Sequence, residues 1–451
     1  MDFTPHTDQD LQAMLEVVGV KAIDDLFEPV PEGLRLHGLL ELPGPMTEGE
    51  VLDLVAKLAG RNRPTGSPAG VGMAGELTCF AGGGAYDHYL PAAVRHLASR
   101  AEFATSYTPY QPELSQGVLG ALFEYQTMIC ELTGMDVANA SLYDGASAVV
   151  EAVHLAVAAT GRGTVAVSEA LNPNYRAVLE TFGAGPGYRF ITAEAEGGVT
   201  GYPDLHGAAC LVVAQPNFFG SVEDLAEAAR RAHVAGALLV VSFDPLSAGL
   251  LEAPGALGAD VVTGEGQALS NALSYGGPYL GIFATKMSHV RRVPGRIVGA
   301  TVDREGRPGY VLTLQAREQH IRRERATSNV CTNQTLLAIA AAIYLSWLGP
   351  QGLAELGQTC LAGARFAAEI LSSVPGCRLA FDGPFFKEFV LRVPGDAGEV
   401  VSALAGRGYL VGPALGGLYP WLSDALVVAV TERRTPQEIE GLAKALAEVS
   451  A

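Results

Sequence analysis

The sequence predicts an α/β protein with a mostly parallel sheet, preceded by helices and followed by a small α+β domain. Six apolar runs of five to eight residues alternate with helical patterns in the middle of the chain. Uninterrupted apolar strands of this kind are typical of parallel sheets that are covered on both faces. The chain has 451 residues, 49% hydrophobic and 17% charged, which is enough apolar material for large cores and excludes a disordered chain.

Residues 1–116 form the first predicted region, a helical segment followed by an extended arm. Thr7 and Asp10 have the spacing of a capping box at the start of one helix, and the run VLDLVAKLA ends a second helix at Gly60. Residues 61–116 are rich in Gly, Pro, Ser and Tyr and show little periodicity. An irregular stretch of that length is usually functional or grips a neighbouring chain.

Residues 117–325 form the predicted large α/β domain. Its first helix carries apolar residues from Val118 to Leu132 along one face and ends at Gly134. The predicted strands lie at 163–168, 188–192, 209–215, 237–244, 260–264 and 279–285, and the predicted helices between them at 144–160, 173–183 and 222–235.

Residues 326–451 form the third predicted region, linking helices and a small α+β C-terminal domain. Two apolar helices, 333–348 and 351–373, are separated by Gly349 and Pro350. The order strand, strand, helix, strand, helix then predicts the small domain. The longest helical apolar stretch, Leu336 to Leu348, is too short to span a bilayer, and the acidic N-terminus lacks the layout of a signal peptide.

Charge and cysteine content bear on the partners and location of the chain. It has 30 Lys and Arg against 48 Asp and Glu, a net charge of −18, which does not favour nucleic acid or an anionic membrane as partner. Its six cysteines have neither zinc-ligand spacing nor the pattern of a disulfide framework. We therefore expect no metal and a cytoplasmic location.

A glycine-rich dinucleotide-binding turn does not fit, because the third fingerprint glycine would fall on Asp87 in FAGGGAYDHYL. A better match is the pyridoxal 5′-phosphate (PLP) site of fold type I, aspartate aminotransferase-like enzymes. Such a site needs a small-residue turn at a helix start for the phosphate, a residue stacked on the ring, a carboxylate for the ring nitrogen, and a lysine for the Schiff base.

Candidates for two of these devices are present, weaker ring-stacking candidates lie in NPNYR (172–176), and the lysine is replaced. Gly145, Ala146 and Ser147 begin a predicted helix, although an ordinary N-capped helix explains them at least as well. Asp244 ends an apolar strand, where open α/β sheets bind ligands, and a turn-forming role is equally compatible. Where the lysine is expected stands Gln267, whose amide cannot form a Schiff base.

The chain has only five lysines, and none lies between Asp244 and Thr285. Lys286 closes the last predicted strand, and the segment after it is expected to leave the sheet exposed, which makes it a poor candidate. The sequence therefore predicts a PLP-type fold with a degenerate pocket at Gly145, Ala146, Ser147, Asp244 and Gln267.

Five tracts of the chain closely resemble the P-protein of the glycine cleavage system. They are FAGGGAYDHYLP (80–91), TSYTPYQPELSQGVLGALFEYQTMICELTGMDVANASLYDGASA (105–148), GEGQALSNALSYGGPYLGIFATK (264–286), REQHIRRERATSNVCTNQ (317–334) and TERRTPQEIE (431–440). The resemblance is to the N-terminal subunit, the first of two homologous chains in organisms that split this protein, and it runs through nearly the whole chain.

The resemblance implies subunit 1 of glycine dehydrogenase (aminomethyl-transferring, decarboxylating), an oxidoreductase. In that reaction glycine loses CO2 with the help of PLP, and the aminomethyl group passes to the lipoyl arm of the H-protein. The resemblance assigns the lysine and the PLP to the homologous second subunit, and the presence of Gln267 here agrees with that. It also implies that subunit 1 alone is inactive. Pairing of homologous chains favours a dimer of heterodimers, a heterotetramer.

The resemblance also implies that this chain completes its partner's active site, because the two chains of this fold meet near it. The side chains with suitable hydroxyls and amides are Tyr107, Tyr110, Gln111, Ser115, Thr327, Ser328 and Asn329. Each could instead make only interface hydrogen bonds. Nine arginines between Arg291 and Arg325 could draw a phosphate or an acidic partner, or could form a solvated face.

Two alternatives remain open at the level of sequence. One is a self-sufficient PLP enzyme that uses Lys286. The other is a structural or regulatory pseudoenzyme that contributes nothing to the chemistry.

Overall fold

The fold is described from a computed structural model, which covers residues 5–65, 75–105, 107–269 and 271–450. The chain divides into two compact units, residues 1–62 and residues 63–451.

The N-terminal unit contains two helices, α1 (Asp8–Val18) and α2 (Glu48–Ala59). The capping box predicted at the start of α1 is confirmed: the Asp10 backbone N–H donates to Thr7 Oγ1 at 3.2 Å, and the Thr7 N–H donates to the Asp10 carboxylate at 2.8 Å. Helix α2 ends at Gly60, as predicted. Among the described residues of this unit only Leu15 is buried, so the unit has almost no core of its own.

The larger unit contains the remaining elements. Its helices are α3 (Ala92–Ala98), α4 (Ala101–Ala104), α5 (Gln116–Thr133), α6 (Gly145–Thr160), α7 (Pro173–Ala184), α8 (Leu225–Val234), α9 (Gln319–Arg322), α10 (Thr335–Ser372), α11 (Ala397–Gly406) and α12 (Pro436–Val449). Its strands are β1 (Thr78–Ala81), β2 (Val137–Ala138), β3 (Thr164–Ser168), β4 (Arg189–Ala193), β5 (Ala195–Glu196), β6 (Val199–Thr200), β7 (Ala208–Gln215), β8 (Leu238–Phe243), β9 (Val261–Glu265), β10 (Gly281–Thr285), β11 (Ile297–Val302), β12 (Pro308–Thr313), β13 (Arg378–Leu379), β14 (Glu388–Arg392), β15 (Tyr409–Gly412) and β16 (Ala425–Ala429).

A seven-stranded sheet in the order β2-β10-β9-β8-β7-β3-β4 forms the centre of this unit. Strands β4, β3, β7, β8 and β9 are parallel, and β10 runs antiparallel to both of its neighbours. The six predicted strands are β3, β4, β7, β8, β9 and β10, which confirms a mostly parallel sheet.

Both faces of the sheet are covered, as the uninterrupted apolar strands predict. Successive residues of β7 show this directly, because Leu211 and Val213 belong to one core, while Cys210 and Val212 belong to another. The first core also contains residues of α5, α8 and α10, and the second contains residues of α6 and α7. The strand ends are thereby fixed between two helical layers.

Strands β13, β14 and β16 form an antiparallel sheet that packs with α11 and α12, the predicted small α+β arrangement. Beside it lies a parallel pair that the sequence interpretation missed: β1 pairs with β15, with Phe80 opposite Val411. Each strand has only four residues and its partner is far along the chain, so neither leaves a periodic pattern. The basic stretch after residue 286 contains another missed element, the β11–β12 hairpin.

Helix α10 replaces the two predicted helices with one run of 38 residues, which by length and composition could cross a membrane. The predicted break is nevertheless present inside it, because Gly349 has φ 62° and ψ 178°. Ile339, Tyr344 and Leu353 of this helix are buried in the main core of the larger unit. We therefore interpret α10 as a core helix.

A close backbone approach joins the central sheet to the small one. Gly220, in the loop after β7, has φ +81°, and a Cβ placed there would clash with the backbone carbonyl of Glu388 in β14. Backbone atoms cannot move aside as the end of a side chain can. Only glycine therefore fits between the two sheets at this point.

We expect Gly220→Ala to lower the midpoint of thermal unfolding severely, because the substitution forces the two sheets apart. Gly207→Ala is the matched control: Gly207 has φ +78° but open space around its Cβ position, so the variant carries only the backbone strain of roughly 1–2 kcal/mol. Calorimetry of both variants tests this. Equal losses would show that the close approach is unimportant.

Candidate functional site

A cavity of about 70 Å³ lies where β7, β8 and β9 end, at the edge of the sheet where open α/β folds bind ligands. Ala214, Ser242, Asp244 and Glu265 line it from the strand ends. Glu388 of β14 and the segment after β1 close it from the other side. Of the five residues of the predicted pocket, Asp244 lines this cavity.

The start of α6, the predicted phosphate site, is satisfied by carboxylates of the chain itself. Asp144 is the N-cap, and its Oδ1 accepts from the Ser147 N–H at 2.7 Å. The Gly145 N–H donates to Glu265 Oε2 at 2.9 Å. Ala146 lines an adjoining cavity of about 320 Å³, which Asp144 and Glu265 also line and which no Lys or Arg among the described residues lines.

Glu265 is a functional-site residue that the sequence interpretation missed. Its Oε1 accepts from the backbone N–H groups of Gln267 and Leu280, both at 2.9 Å. Burial raises the pKa of this carboxyl to about 7, against the effect of its hydrogen bonds. An acidic residue at the carboxyl end of a buried strand was the available signal, and Glu265 lies only two positions before Gln267.

Asp244, the predicted partner of a ring nitrogen, is paired with a lysine instead. The Nζ of Lys387 lies 2.6 Å from Asp244 Oδ2, and the Asp244 Oδ1 accepts from the Leu246 N–H at 3.0 Å. Lys387 immediately precedes β14 and is 1% exposed. The sequence interpretation counted Lys387 among the five lysines but gave it no role.

The Lys387 ammonium group is the first member of a buried series of hydrogen bonds. Its Nζ lies 3.2 Å from His88 Nε2, and His88 Nδ1 lies 2.7 Å from a carboxylate oxygen of Glu432. Because an ammonium can only donate, His88 Nε2 accepts and Nδ1–H donates to Glu432. Burial alone would raise the pKa of Glu432, but the hydrogen bonds from His88 and the Tyr89 backbone lower it to about 2.

The same residues include a set of metal-ligand types, since His88, Cys360 and Glu432 place their ligand atoms within 4.8 Å of one another. Both ring nitrogens of His88 are already engaged, and the Lys387 ammonium lies beside them. A second positive charge is disfavoured there. The arrangement is therefore that of a hydrogen-bond network.

Gln267, at the expected lysine position, is 2% exposed and holds the segment after β1. Its Oε1 accepts from the Tyr86 N–H at 2.8 Å, and its Nε2 donates to the carbonyls of Tyr86 at 3.0 Å and Asn271 at 2.8 Å. The amide is fully used as a crosslink between two loops. It leaves no free group for chemistry.

The predicted interface residues lie outside this pocket. Tyr107 is 89% exposed and Gln111 is also exposed, while Ser115 is half-buried. Thr327 and Ser328 line a very small cavity beside Arg317, and Asn329 next to them is exposed.

Arg296 contacts both Tyr110 and the segment before α10, and so links the two. The Arg296 guanidinium lies 5.6 Å from the centre of the Tyr110 ring and donates to the Cys331 carbonyl at 2.6 Å and to Asn333 Oδ1 at 2.9 Å. The arm and the post-sheet segment thus meet on one surface.

Lys286 lies at the amino ends of the parallel strands, whereas a cofactor lysine is expected at their carboxyl ends. It follows β10, whose last residue Thr285 pairs with Val261, the first residue of β9, whereas Gln267 follows the last residue of β9. The Lys286 Nζ is held by Asp260 Oδ1 at 2.6 Å.

Comparison with solved structures defines the class of protein first. A glutamate decarboxylase from Lactobacillus brevis, 12% identical, matches with a TM-score of 0.64 over 94% of this chain and 97% of its own. A cysteine desulfurase from Escherichia coli, 16% identical, matches with a TM-score of 0.57 over 80% of this chain and 92% of its own. At such identities the likeness shows the fold alone, and the fold is that of fold type I PLP enzymes, as predicted.

Closer relatives then define the family. The glycine cleavage system P-protein family matches residues 1–446. The probable glycine dehydrogenase (decarboxylating) subunit 1 of Desulforamulus reducens is 49% identical, and that of Moorella thermoacetica 48%, over 99–100% of each chain. A crystal structure of an inhibitor-bound glycine decarboxylase (P-protein) is 45% identical with a TM-score of 0.87 over the whole of both chains. The chain belongs to the glycine cleavage system P-protein family, which confirms the resemblance.

The residues of this pocket do not fit PLP. Two α6 N–H groups at the predicted phosphate site are already bonded to carboxylates, that of Gly145 to Glu265 and that of Ser147 to Asp144. Asp244 is paired with Lys387, and Gln267 is in place of the lysine. The cavity beside Asp244, about 70 Å³, holds a few water molecules at ~10–15 Å³ each, and the adjoining cavity of about 320 Å³ is lined by the carboxylates of Asp144 and Glu265 and by no Lys or Arg among the described residues.

The free energy of unfolding of the unmodified chain should fall between pH 5 and pH 8, in part through Glu388. We expect Glu388→Gln to make this fall smaller. Burial raises the pKa of Glu388 from 4.5 to about 7, so folding favours its protonated form. That contribution, on the order of 3 kcal/mol, is complete below pH 4.5 and disappears as the pH rises through about 7. Glutamine keeps partners for the Gly83 N–H and the Tyr86 hydroxyl but does not titrate.

Thermal unfolding at both pH values measures this effect. The exposed Glu440→Gln is the control and should follow the unmodified chain. An unchanged pH dependence in Glu388→Gln would show that Glu388 is not the group responsible.

Proposed function

We propose that this chain, as subunit 1 of a two-chain glycine dehydrogenase (decarboxylating), serves the reaction without holding the cofactor itself. The homologous second subunit carries the PLP, which when bound supplies the electron sink for loss of CO2 from glycine. The aminomethyl group then passes to the lipoyl arm of the H-protein. The observation that carries this proposal is the internal pairing of Asp244 with Lys387 in place of a ring nitrogen.

The contribution of this chain is the surface around Arg296. Arg296 is 5% exposed, and its Nε is buried without a hydrogen-bond partner among the described residues. Close to it in the chain, Arg291, Arg292 and Arg317 line a very small cavity with Thr327, Ser328 and one acidic residue, Glu318. Guanidinium and hydroxyl groups together suit a phosphate or a carboxylate. We infer that this surface faces the partner's site and steadies its anionic groups.

The proposed assembly is cytoplasmic and pairs two copies of each subunit. Two homologous chains with the same fold can meet across a pseudo-twofold axis, and two such pairs give a heterotetramer. The exposed arm, with Tyr107 at its surface, supports a contact with the second subunit.

We expect the purified chain mixed with PLP and borohydride to form no stoichiometric covalent adduct. Lys286 lies at the opposite edge of the sheet from Asp244 and is paired with Asp260. Peptide mapping after reduction gives the result, with Lys286→Met as the control for surface labelling. Stoichiometric labelling of Lys286 would overturn the two-subunit assignment in favour of a self-sufficient enzyme.

We expect Ser328→Ala, assembled with the second subunit and H-protein, to lower glycine-dependent CO2 exchange by about tenfold, the effect of losing one hydrogen bond to a charged group. Ser402→Ala, at an exposed position on α11, is the matched control and should retain full exchange. Size-exclusion chromatography verifies that both variants assemble. Full exchange in Ser328→Ala, Thr327→Ala and Tyr110→Phe with intact assembly would favour the purely structural alternative.

A further inference from the structure

We propose that the Asp244 pocket is a binding site for a primary ammonium group, and that Lys387 supplies this group from within the chain in place of the cofactor's ring nitrogen. The proposal deepens the function proposed above and rests on it in one respect, namely that the pocket holds no cofactor.

The geometry of Lys387 is that of a bound ligand. Its Nζ contacts Asp244 Oδ2 at 2.6 Å and His88 Nε2 at 3.2 Å, and it lies 3.7 Å from the centre of the Tyr86 ring. A carboxylate, an imidazole acceptor and an aromatic face are three groups that recognise an ammonium ion. They come from β8 and from the segment after β1, whereas Lys387 comes from the start of β14.

The Asp244 carboxylate requires a cation beside it. Asp244, Glu265 and Glu388 all line it, and no Lys or Arg among the described residues lines it. Lys387 reaches Asp244 from behind the cavity wall, with a side chain only 2% exposed. Without its charge, Asp244 would be a partly buried carboxylate with no cation beside it, next to the buried Glu388, which is strongly unfavourable.

The ammonium group also positions the segment after β1. Lys387 bonds to His88, His88 bonds to Glu432, and Glu432 accepts from the Tyr89 backbone N–H at 2.6 Å. Tyr89 itself is 48% exposed. Lys387 is therefore a positioning residue, which fixes the segment after β1, up to the exposed Tyr89, through a chain of buried polar contacts.

Chemical rescue tests the proposal on the full-length chain without any activity measurement. Lys387→Ala should lower the unfolding midpoint by on the order of 10 °C, because it breaks a buried pair. Adding n-propylammonium, which replaces the missing part of the side chain, should restore part of that loss in a saturable way. The neutral n-propanol should not, and Lys444→Ala, at an exposed position on α12, should respond to neither.

Three results would overturn the proposal. The first is equal rescue by n-propanol and n-propylammonium, which would mean that only apolar volume was missing. The second is a rise in the unfolding midpoint of the unmodified chain on addition of PLP. It would mean that the cofactor binds in the pocket and displaces Lys387 from Asp244.

A double-substitution cycle covers the case in which Lys387→Ala does not fold. Lys387→Met combined with Asp244→Asn should unfold at a higher temperature than either single variant, because both charges leave together. Additive losses would be the third contrary result. None of these measurements involves the second subunit, so their failure is distinguishable from loss of glycine-dependent exchange.

Discussion

The ion pair between Lys387 and Asp244 is the contact on which the pocket at the carboxyl ends of the central strands depends. It joins the end of β8 to the start of β14 and, through His88, to the segment after β1. Removing either charge would leave the other buried and uncompensated, a much larger loss than that of an exposed pair. The small sheet, the central sheet and the loop between them are thus held by one set of mutually dependent charges.

The pocket keeps two features of a cofactor site, a helix N-terminus and a carboxylate at a strand end. Side chains of the same chain take the place of the ligand at both. The amino end of a helix attracts an anion whatever its source, and here Asp144 and Glu265 provide it for α6. A carboxylate at a strand end attracts a cation, and Lys387 provides it. These polar groups therefore have partners within the chain, which suits a chain whose homologous partner is proposed to hold the cofactor.

The fold and part of the site were predictable from the sequence, because both leave local patterns. The apolar strands, the small-residue turn at Gly145 and the missing lysine at Gln267 are all read from consecutive residues. Glu265 was not recognised although its place at the end of a buried strand was a local signal. Lys387 was not recognised because its partners, Asp244 and His88, are more than a hundred residues away in the chain. Burial of a lone lysine has no sequence signature, because lysine is almost always exposed. The paired strands β1 and β15 were missed for the same reason.

The pairing of β1 with β15 has a consequence for how the chain folds. The two strands are far apart in the sequence, at Thr78–Ala81 and Tyr409–Gly412. They nevertheless form adjacent parallel strands beside the small sheet. During synthesis β1 emerges early and has no partner until almost the whole chain is complete. Its closure carries the entropy of a very long loop, which slows folding. We infer that these strands join late, after the central sheet has formed.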